Sequence, residues 1–369
     1  MPSEKRKRSC GPDEGFWAGR SVLVTGHTGF KGGWLTLWLE ALGASVAGLS
    51  DGVPSDPSLH ALIGAPERVV ADVRDAAAVE RAVAEAAPSV VFHLAAQPLV
   101  RRSYAAPAET FAVNVQGTAH VLDAVRNVGG VEAVVVVTSD KCYAPAEPES
   151  SSEWGHRETD PLGGRDPYSA SKAAAELVSA AYRASYGLPL ATARAGNVIG
   201  GGDWGADRLL PDVMRAVLAG EPVALRSPSA VRPWQHVLNP LSGYLLLAER
   251  LAGGEPEFAD GWNFGPAVEE ALPVRALVER IARLWGSESL AIAAQDGDHP
   301  PETATLRLDS TRARVRLGWH PAWDLDEGLS AIVDWYRAYE RGADLREVTL
   351  AQIAAYQAAA RRHAELTAP

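Results

Sequence analysis

At 369 residues and 39.1 kDa, the chain exceeds a minimal module and suits one large α/β domain, or two domains sharing a cleft. A composition of 47% hydrophobic and 22% charged residues argues against wholesale disorder, and 35 basic against 46 acidic side chains leave a net charge of -11 that disfavours a general nucleic-acid surface. Cys10 and Cys142 are too few for a disulfide scaffold or a Cys-rich zinc site, so no metal is expected and a reducing cytoplasm is the expected compartment.

No apolar run approaches the roughly 20 residues that a membrane-spanning helix needs. Met1 to Gly15 is polar and carries Lys5-Arg6-Lys7-Arg8 with no apolar core after it. It reads as a disordered tail rather than a secretory signal.

From Ser21 onward, short β-branched runs alternate with amphipathic stretches. Strands are expected at Ser21–Thr25, Ala44–Leu49, Val69–Ala71, Ser89–Leu94, Val131–Thr138 and Pro189–Ala195. Helices are expected at Lys31–Leu42, Asp75–Ala86, Pro107–Val128 and Tyr168–Tyr186. Continuous apolar strands separated by helices imply a Rossmann-type α/β fold, a doubly wound parallel sheet covered on both faces. A long loop interrupts the rhythm at Ala144–Asp166. After Gly200-Gly201-Gly202 the pattern turns irregular, with helices expected at Pro211–Ala219, Asn239–Leu251, Val274–Trp285 and Leu325–Tyr339. The division expected is a dinucleotide-binding domain over 16–200 and a smaller α/β substrate-binding lobe over 201–345, some of whose segments return to the first domain. A peripheral helix follows over 346–369.

The first strand runs into Gly26-His27-Thr28-Gly29-Phe30-Lys31-Gly32 and then a helix. Glycines there permit a tight turn and let backbone N–H groups approach a pyrophosphate at a helix N-terminus. Gly26, Thr28, Gly29, Phe30 and Gly32 are therefore assigned to a dinucleotide. Asp51 follows the second strand, where an acid accepts from a ribose 2′-hydroxyl and repels a 2′-phosphate. No Lys or Arg lies between Ser45 and Glu67, which favours NAD over NADP. The competing reading of Asp51 is a turn residue beside Gly52. Asp72 and Val73 follow the third strand, where Asp72 either meets the adenine or caps the next helix. Small residues close the fourth strand at Leu94, Ala95 and Ala96, which lets the backbone pass close to a flat cofactor.

Tyr168 and Lys172 stand four apart on one helix face. Lys172 beside the phenol is expected to favour the phenolate. Ser139, at the end of the Val-rich strand, is placed to bond the same substrate oxygen. Such a trio removes a proton from an alcohol while its carbon gives hydride to a nicotinamide, so Tyr168 and Lys172 also border the cofactor.

With these residues in place the chain resembles the extended short-chain dehydrogenase/reductases, most of which act on nucleotide-linked sugars. The resemblance covers roughly Phe16 to Tyr339. Several stretches look closer to the 4,6-dehydratase branch that acts on CDP-glucose. They are Phe16-Trp17-Ala18-Gly19-Arg20, the glycine turn, Ala95-Ala96-Gln97-Pro98-Leu99-Val100-Arg101, Thr138-Ser139-Asp140-Lys141-Cys142-Tyr143, Asn197-Val198-Ile199-Gly200-Gly201-Gly202-Asp203-Trp204 and Arg232-Pro233-Trp234-Gln235-His236-Val237.

The resemblance implies a hydro-lyase using NAD and CDP-glucose, and a homodimer built through a four-helix bundle of Pro107–Val128 and Tyr168–Tyr186. A dehydratase needs acid–base groups beyond the Ser, Tyr and Lys, and Asp140-Lys141 occupies their place. Asp140 is assigned as the acid that protonates the departing C6 hydroxyl. Lys141 is either the base that takes the C5 proton or a charge that stabilises the enolate. The competing reading of the pair is a polar turn. Gln97, Ser103, Asn197, Arg208 and Arg232 are assigned to the sugar nucleotide, the two arginines to its diphosphate. Either arginine could instead form a surface ion pair. His93, inside a strand, reads as a satisfied core histidine. A nucleotide-sugar 4-epimerase would keep Ser139, Tyr168 and Lys172 and leave Asp140-Lys141 idle, and a 4,6-dehydratase for another nucleotide sugar would keep all five. A non-catalytic dinucleotide sensor would need neither Tyr168 nor Lys172.

Overall fold

The computed structural model describes residues 11–65, 69–145, 155–287, 292–294 and 306–367. The basic run of the expected tail, Cys10 and the stretch 146–154 of the expected loop lie outside the described residues. Seven strands form one parallel sheet: β1 (Ser21–Thr25), β2 (Ser45–Ser50), β3 (Val69–Val70), β4 (Val90–His93), β5 (Ala133–Val137), β6 (Leu190–Arg194) and β7 (Gly261–Asn263). Their order is β7-β6-β5-β4-β1-β2-β3. The chain winds outward through β2 and β3, then returns across β1 to β4. That reversal opens a crevice at the C-terminal strand ends, the place where doubly wound sheets take ligands.

Alternation along each strand supplies both layers. Val22, Val24, Val90 and Phe92 face one core with helices α1 (Phe30–Ala41) and α6 (Leu238–Ala252). Leu23, Val91, Val134 and Val136 face the other, with α2 (Ala76–Ala86), α3 (Gly117–Val128) and α4 (Pro167–Tyr186) near it. Asp75 caps α2 by accepting from Ala78 N at 3.0 Å, and Asp166 caps α4 by accepting from Ser169 N at 2.9 Å. With Pro167 opening α4, this cap places Tyr168 in the helix's first turn, beside the strand ends.

One expected helix differs. Pro107–Val128 is divided by a π-helical turn at Ala112–Gln116. The turn swings the Asn114 side chain inward, where it bonds Gln97 and Ser171. Gly117 follows because a Cβ there would stand 2.7 Å from Val73 Cγ2. A π turn adds one residue to a helix and is common beside functional sites.

The C-terminal half adds α5 (Leu209–Ala219), α7 (Val274–Trp285), α8 (Leu325–Glu340) and α9 (Leu345–Thr367), and it contributes β7 to the main sheet. Three small two-stranded sheets complete it, formed by Val198–Ile199 with Gln235–His236, Val231–Arg232 with Leu272–Pro273, and Val223–Leu225 with Ile292–Ala294. The C-terminal helix lies close to its expected range, but one face is built into the core. Ile353, Tyr356 and Ala360 are buried, and Tyr356 packs against Trp38 and Trp323. Among the described residues no helix is long and apolar enough to cross a membrane.

Candidate active site

The glycine turn is built by close backbone approaches. Gly26 adopts φ +73°, and a Cβ on it would lie 2.7 Å from Ala95 N. A Cβ on Gly32 would lie 2.1 Å from Gly26 O, so α1 can start under the turn only with glycine at 32. Gly29 is the N-cap of α1 and has no side chain to occupy the first N–H groups, which leaves that helix end suited to an anion. Thr28 Oγ1 donates to Gly52 O at 2.6 Å and ties the turn to the loop after β2. The Phe30 ring lies against Gly200, where a Cβ would be 2.9 Å from it. Leu94 and Ala95 are held by Thr25, whose Oγ1 accepts from both backbone N–H groups at 3.2 Å, and they are half-buried with Ala96 at the crevice.

Asp51, exposed, is the first residue after β2. Asp72 does not cap α2, since Asp75 takes that place. Its carboxylate accepts from Arg74 Nε and Nη2 at 2.8 and 2.5 Å, and this fork holds Asp72 below the usual carboxylate range. Arg74 also feels the charge of Asp51, so an arginine that lies outside the Ser45–Glu67 interval enters the expected adenosine end already paired with an acid. Val73 is buried against Gly117, and its carbonyl accepts from His120 Nδ1 at 2.9 Å.

Ser139, Asp140 and Lys141 lie on a single turn of 3-10 helix after β5, facing Tyr168 in the first turn of α4. Ser139 Oγ donates to Asp140 Oδ1 at 3.0 Å and accepts from Lys141 N at 3.2 Å. The buried Asp140 carboxylate also accepts from Asn197 Nδ2 at 3.3 Å. The Lys141 ammonium makes no hydrogen bond or ion pair among the described residues. Lys172 Nζ donates to Val137 O at 3.2 Å.

The expectation of a depressed phenol is corrected. Burial raises Tyr168 to about 12, outweighing the Ser139 hydrogen bond and the Arg208 charge that pull it down. Burial likewise lowers Lys172 to about 8, with Glu176 opposing it. The desolvation of both groups outweighs their neighbours.

Two residues assigned to the substrate are hydrogen-bonded within the protein. The Gln97 carboxamide is spent internally, donating to Leu99 O and Thr110 Oγ1 and accepting from Leu99 N. The Ser103 hydroxyl is fully buried, donates to Val100 O at 2.6 Å and accepts from Tyr168 N at 3.2 Å. It satisfies an N–H at the start of α4 and so supports Tyr168 from behind. Asn197 keeps φ +49° beside Asp140. Arg208 donates to Asp203 at 3.2 Å and acts on Tyr168. Arg232 is buried, and its Nη1 donates to Val231 O at 3.0 Å.

Sequence reasoning missed Lys31. Burial, Arg208 and Lys172 lower it to about 8, against Asp140 and Asp203, so two lysines, an arginine and two acids share one site. It stood in the glycine motif as an unassigned letter. Asn114 was missed as well, because helical periodicity does not reveal a π turn.

His93 bonds Thr25 through Nδ1 at 2.7 Å and Thr118 through Nε2 at 3.1 Å, and burial lowers it to about 3. It is a satisfied core histidine. No group of three or more His, Cys, Asp or Glu among the described residues could hold a metal ion.

Residues 22–260 match the NAD dependent epimerase/dehydratase family. A CDP-glucose 4,6-dehydratase of Salmonella typhimurium is 47% identical over 363 residues, which cover 95% of this chain and 99% of that protein. The crystal structure of a dTDP-glucose 4,6-dehydratase from Streptomyces venezuelae with NAD bound superposes with a TM-score of 0.75 at 27% identity, covering 88% of this chain and 99% of that one. A UDP-glucose 4-epimerase of Thermus thermophilus in complex with NAD gives 0.74 at 29%, covering 86% and 98%. The glycine-lined turn, the uncapped start of α1 and the narrow passage between Gly26 and Ala95 fit the dinucleotide those structures carry. This chain belongs to the NAD dependent epimerase/dehydratase family.

Proposed function

We propose that the chain is a CDP-glucose 4,6-dehydratase, converting CDP-glucose to CDP-4-keto-6-deoxyglucose with bound NAD. One observation carries the reading: a buried carboxylate, Asp140, and an ammonium without a partner among the described residues, Lys141, share the turn whose Ser139 faces Tyr168. Oxidation of an alcohol needs only Ser139, Tyr168 and Lys172. Loss of water needs acid–base groups beyond these three, and this turn places Asp140 and Lys141 where they can serve. The activity of the Salmonella relative points the same way.

NAD when bound supplies the chemistry of hydride acceptance from C4 and hydride return to C6. Tyr168 takes the proton of the C4 hydroxyl while Ser139 bonds the same oxygen, the Arg208 charge favours the phenolate that this requires, and Lys172 stands one turn further along the same helix. Once C4 is a ketone its neighbour C5 is acidic. Lys141 takes the C5 proton or stabilises the enolate, and Asp140 gives a proton to the leaving C6 hydroxyl. Gly26, Thr28, Gly29, Phe30 and Gly32 hold the pyrophosphate, Asp51 the ribose, Asp72 and Val73 the adenine, and Leu94 to Ala96 the nicotinamide side. Asn197, Arg208 and Arg232 serve the nucleotide sugar.

The same reading places the cofactor on 16–200 and most substrate contacts on 201–345. It makes the protein a cytoplasmic homodimer. Support for the dimer comes from Phe111, Leu177 and Tyr186, exposed by 39%, 61% and 56% on the helices named for a four-helix bundle.

The second reading is a 4-epimerase, favoured by the Thermus structure. Incubation with CDP-, dTDP-, UDP- and GDP-glucose in parallel, followed by mass spectrometry, tests both. Loss of water from CDP-glucose supports the dehydratase, and an isomer of unchanged mass supports the epimerase.

A further inference from the structure

Directly behind the catalytic turn lies a buried ion pair with no assigned role. Glu176 stands on α4 one turn beyond Lys172. Its Oε1 accepts from Thr138 Oγ1 at 2.5 Å and from Arg194 Nε at 3.0 Å. Its Oε2 accepts from Thr192 Oγ1 at 2.6 Å and from Arg194 Nη2 at 2.8 Å. Both oxygens are thus doubly bonded, which fills the carboxylate. Arg194 Nη1 then donates to the Tyr143 hydroxyl at 2.8 Å, and Tyr143 donates to Asn263 Oδ1 at 2.6 Å. Asn263 Nδ2 reaches onward to His156 O and Asp309 O.

These contacts bracket the site in sequence. Thr138 immediately precedes Ser139, and Tyr143 immediately follows Cys142. The segment bearing Ser139, Asp140 and Lys141 is therefore gripped at both ends by one ion pair. The acid of that pair rides on the helix that carries Tyr168 and Lys172, and Lys172 itself reaches Val137 O beside Thr138. Stability alone is a weak reason for such a pair, because burying two charges costs about what their attraction returns.

We propose that Glu176 and Arg194 are positioning residues: their ion pair fixes the Ser139–Asp140–Lys141 turn against the Tyr168–Lys172 helix, and Glu176 is the fixed negative charge that faces Lys172. The inference rests on the proposed catalytic roles of those residues.

The charge has a direction. Burial lowers Lys172, while Glu176 and then Cys142 raise it. Lys31 on α1 and His93 on β4 also lie within electrostatic reach, and His93 stays neutral above about 3. Without the Glu176 charge, burial acts less opposed, and Lys172 loses its proton at a lower pH.

The test uses the full chain with NAD. Glu176→Gln keeps the shape and removes the charge. Rapid mixing with CDP-glucose, followed by absorbance of reduced cofactor, reads C4 oxidation across pH. The alkaline limb should move to lower pH, and kcat should fall about tenfold or more while KM changes less than about threefold. Thr192→Val removes one hydrogen bond and leaves both charges. It should lower kcat by a smaller factor and leave the limb in place, and if Glu176→Gln fails to fold, a kcat loss at constant KM in Thr192→Val and Thr138→Val carries the proposal. A folded Glu176→Gln with the wild-type limb, or threonine variants with wild-type kcat, would overturn it. The wild type run alongside separates the two ideas: no dehydrated product from it rejects the proposed activity, whereas altered variants of an active wild type bear on positioning alone.

Discussion

The Asp140 carboxylate occupies the space that a side chain at Gly196 would need: a Cβ on Gly196 would lie 1.6 Å from Asp140 Oδ2. The glycine after β6 is thus the seat of the proposed acid. Gly196→Ala must push Asp140 off that seat while leaving the glycine turn at Gly26 to Gly32 untouched. Its NAD affinity should match the wild type, and substrate should still reduce the cofactor. Elimination should slow by about a hundredfold, read as accumulated reduced cofactor in a stopped-flow trace.

Tyr168→Phe keeps the ring packing and deletes the phenol. Turnover should fall by about a hundredfold or more with NAD binding retained. Because burial holds the phenol near 12, the wild type depends on the bound substrate's hydroxyl and on nearby cations to make the phenolate useful. Near-normal turnover in the variant would remove Tyr168 from its role.

Asp51 stands at the expected ribose end, and Arg74, which feels its charge, is already forked onto Asp72. The acid at 51 therefore favours a ribose 2′-hydroxyl over a 2′-phosphate. NAD should bind at least about tenfold more tightly than NADP, and Asp51→Ala should narrow the gap. A titration with equal affinities in the wild type would contradict the assignment.

Two buried histidines contribute to the acid sensitivity of the fold. Burial lowers His93 and His236 from 6.5 to about 3. The unfolded chain protonates both near 6.5 while the folded one resists, so it binds more protons as pH falls and stability drops through the window from 6.5 toward 3. The melting temperature should fall between pH 7 and pH 5. His93→Gln, which can still meet Thr25 and Thr118, should flatten that fall. Parallel curves would show that His93 is no part of it.

Much of the fold was legible because strand and helix periods are local. β1 and α7 coincide with the runs read from sequence, and the parallel sheet follows from continuous valine-rich strands. The π turn at Ala112–Gln116 was not legible, since it arises where Asn114 is drawn toward Gln97 and Ser171, residues far apart in sequence. The same holds within the site. Ser139, Asp140, Lys141, Tyr168 and Lys172 sit in two short motifs and could be named together. Gln97 and Ser103 read as free polar groups, and only the tertiary structure shows their internal partners. Lys31 lay inside a motif read for its glycines, so its charge went unused. Glu176 and Arg194 are unremarkable letters in a helix and a strand until the sheet brings them together.

The central claim is that Asp140 and Lys141 make this chain a dehydratase, and isotope transfer tests it most directly. CDP-glucose deuterated at C4, turned over in ordinary water, should yield a 4-keto-6-deoxy product with deuterium in its new methyl group. Unlabelled substrate turned over in heavy water should gain deuterium at C5. A product that keeps all its oxygen, or a C4 label that never reaches C6, would contradict the account.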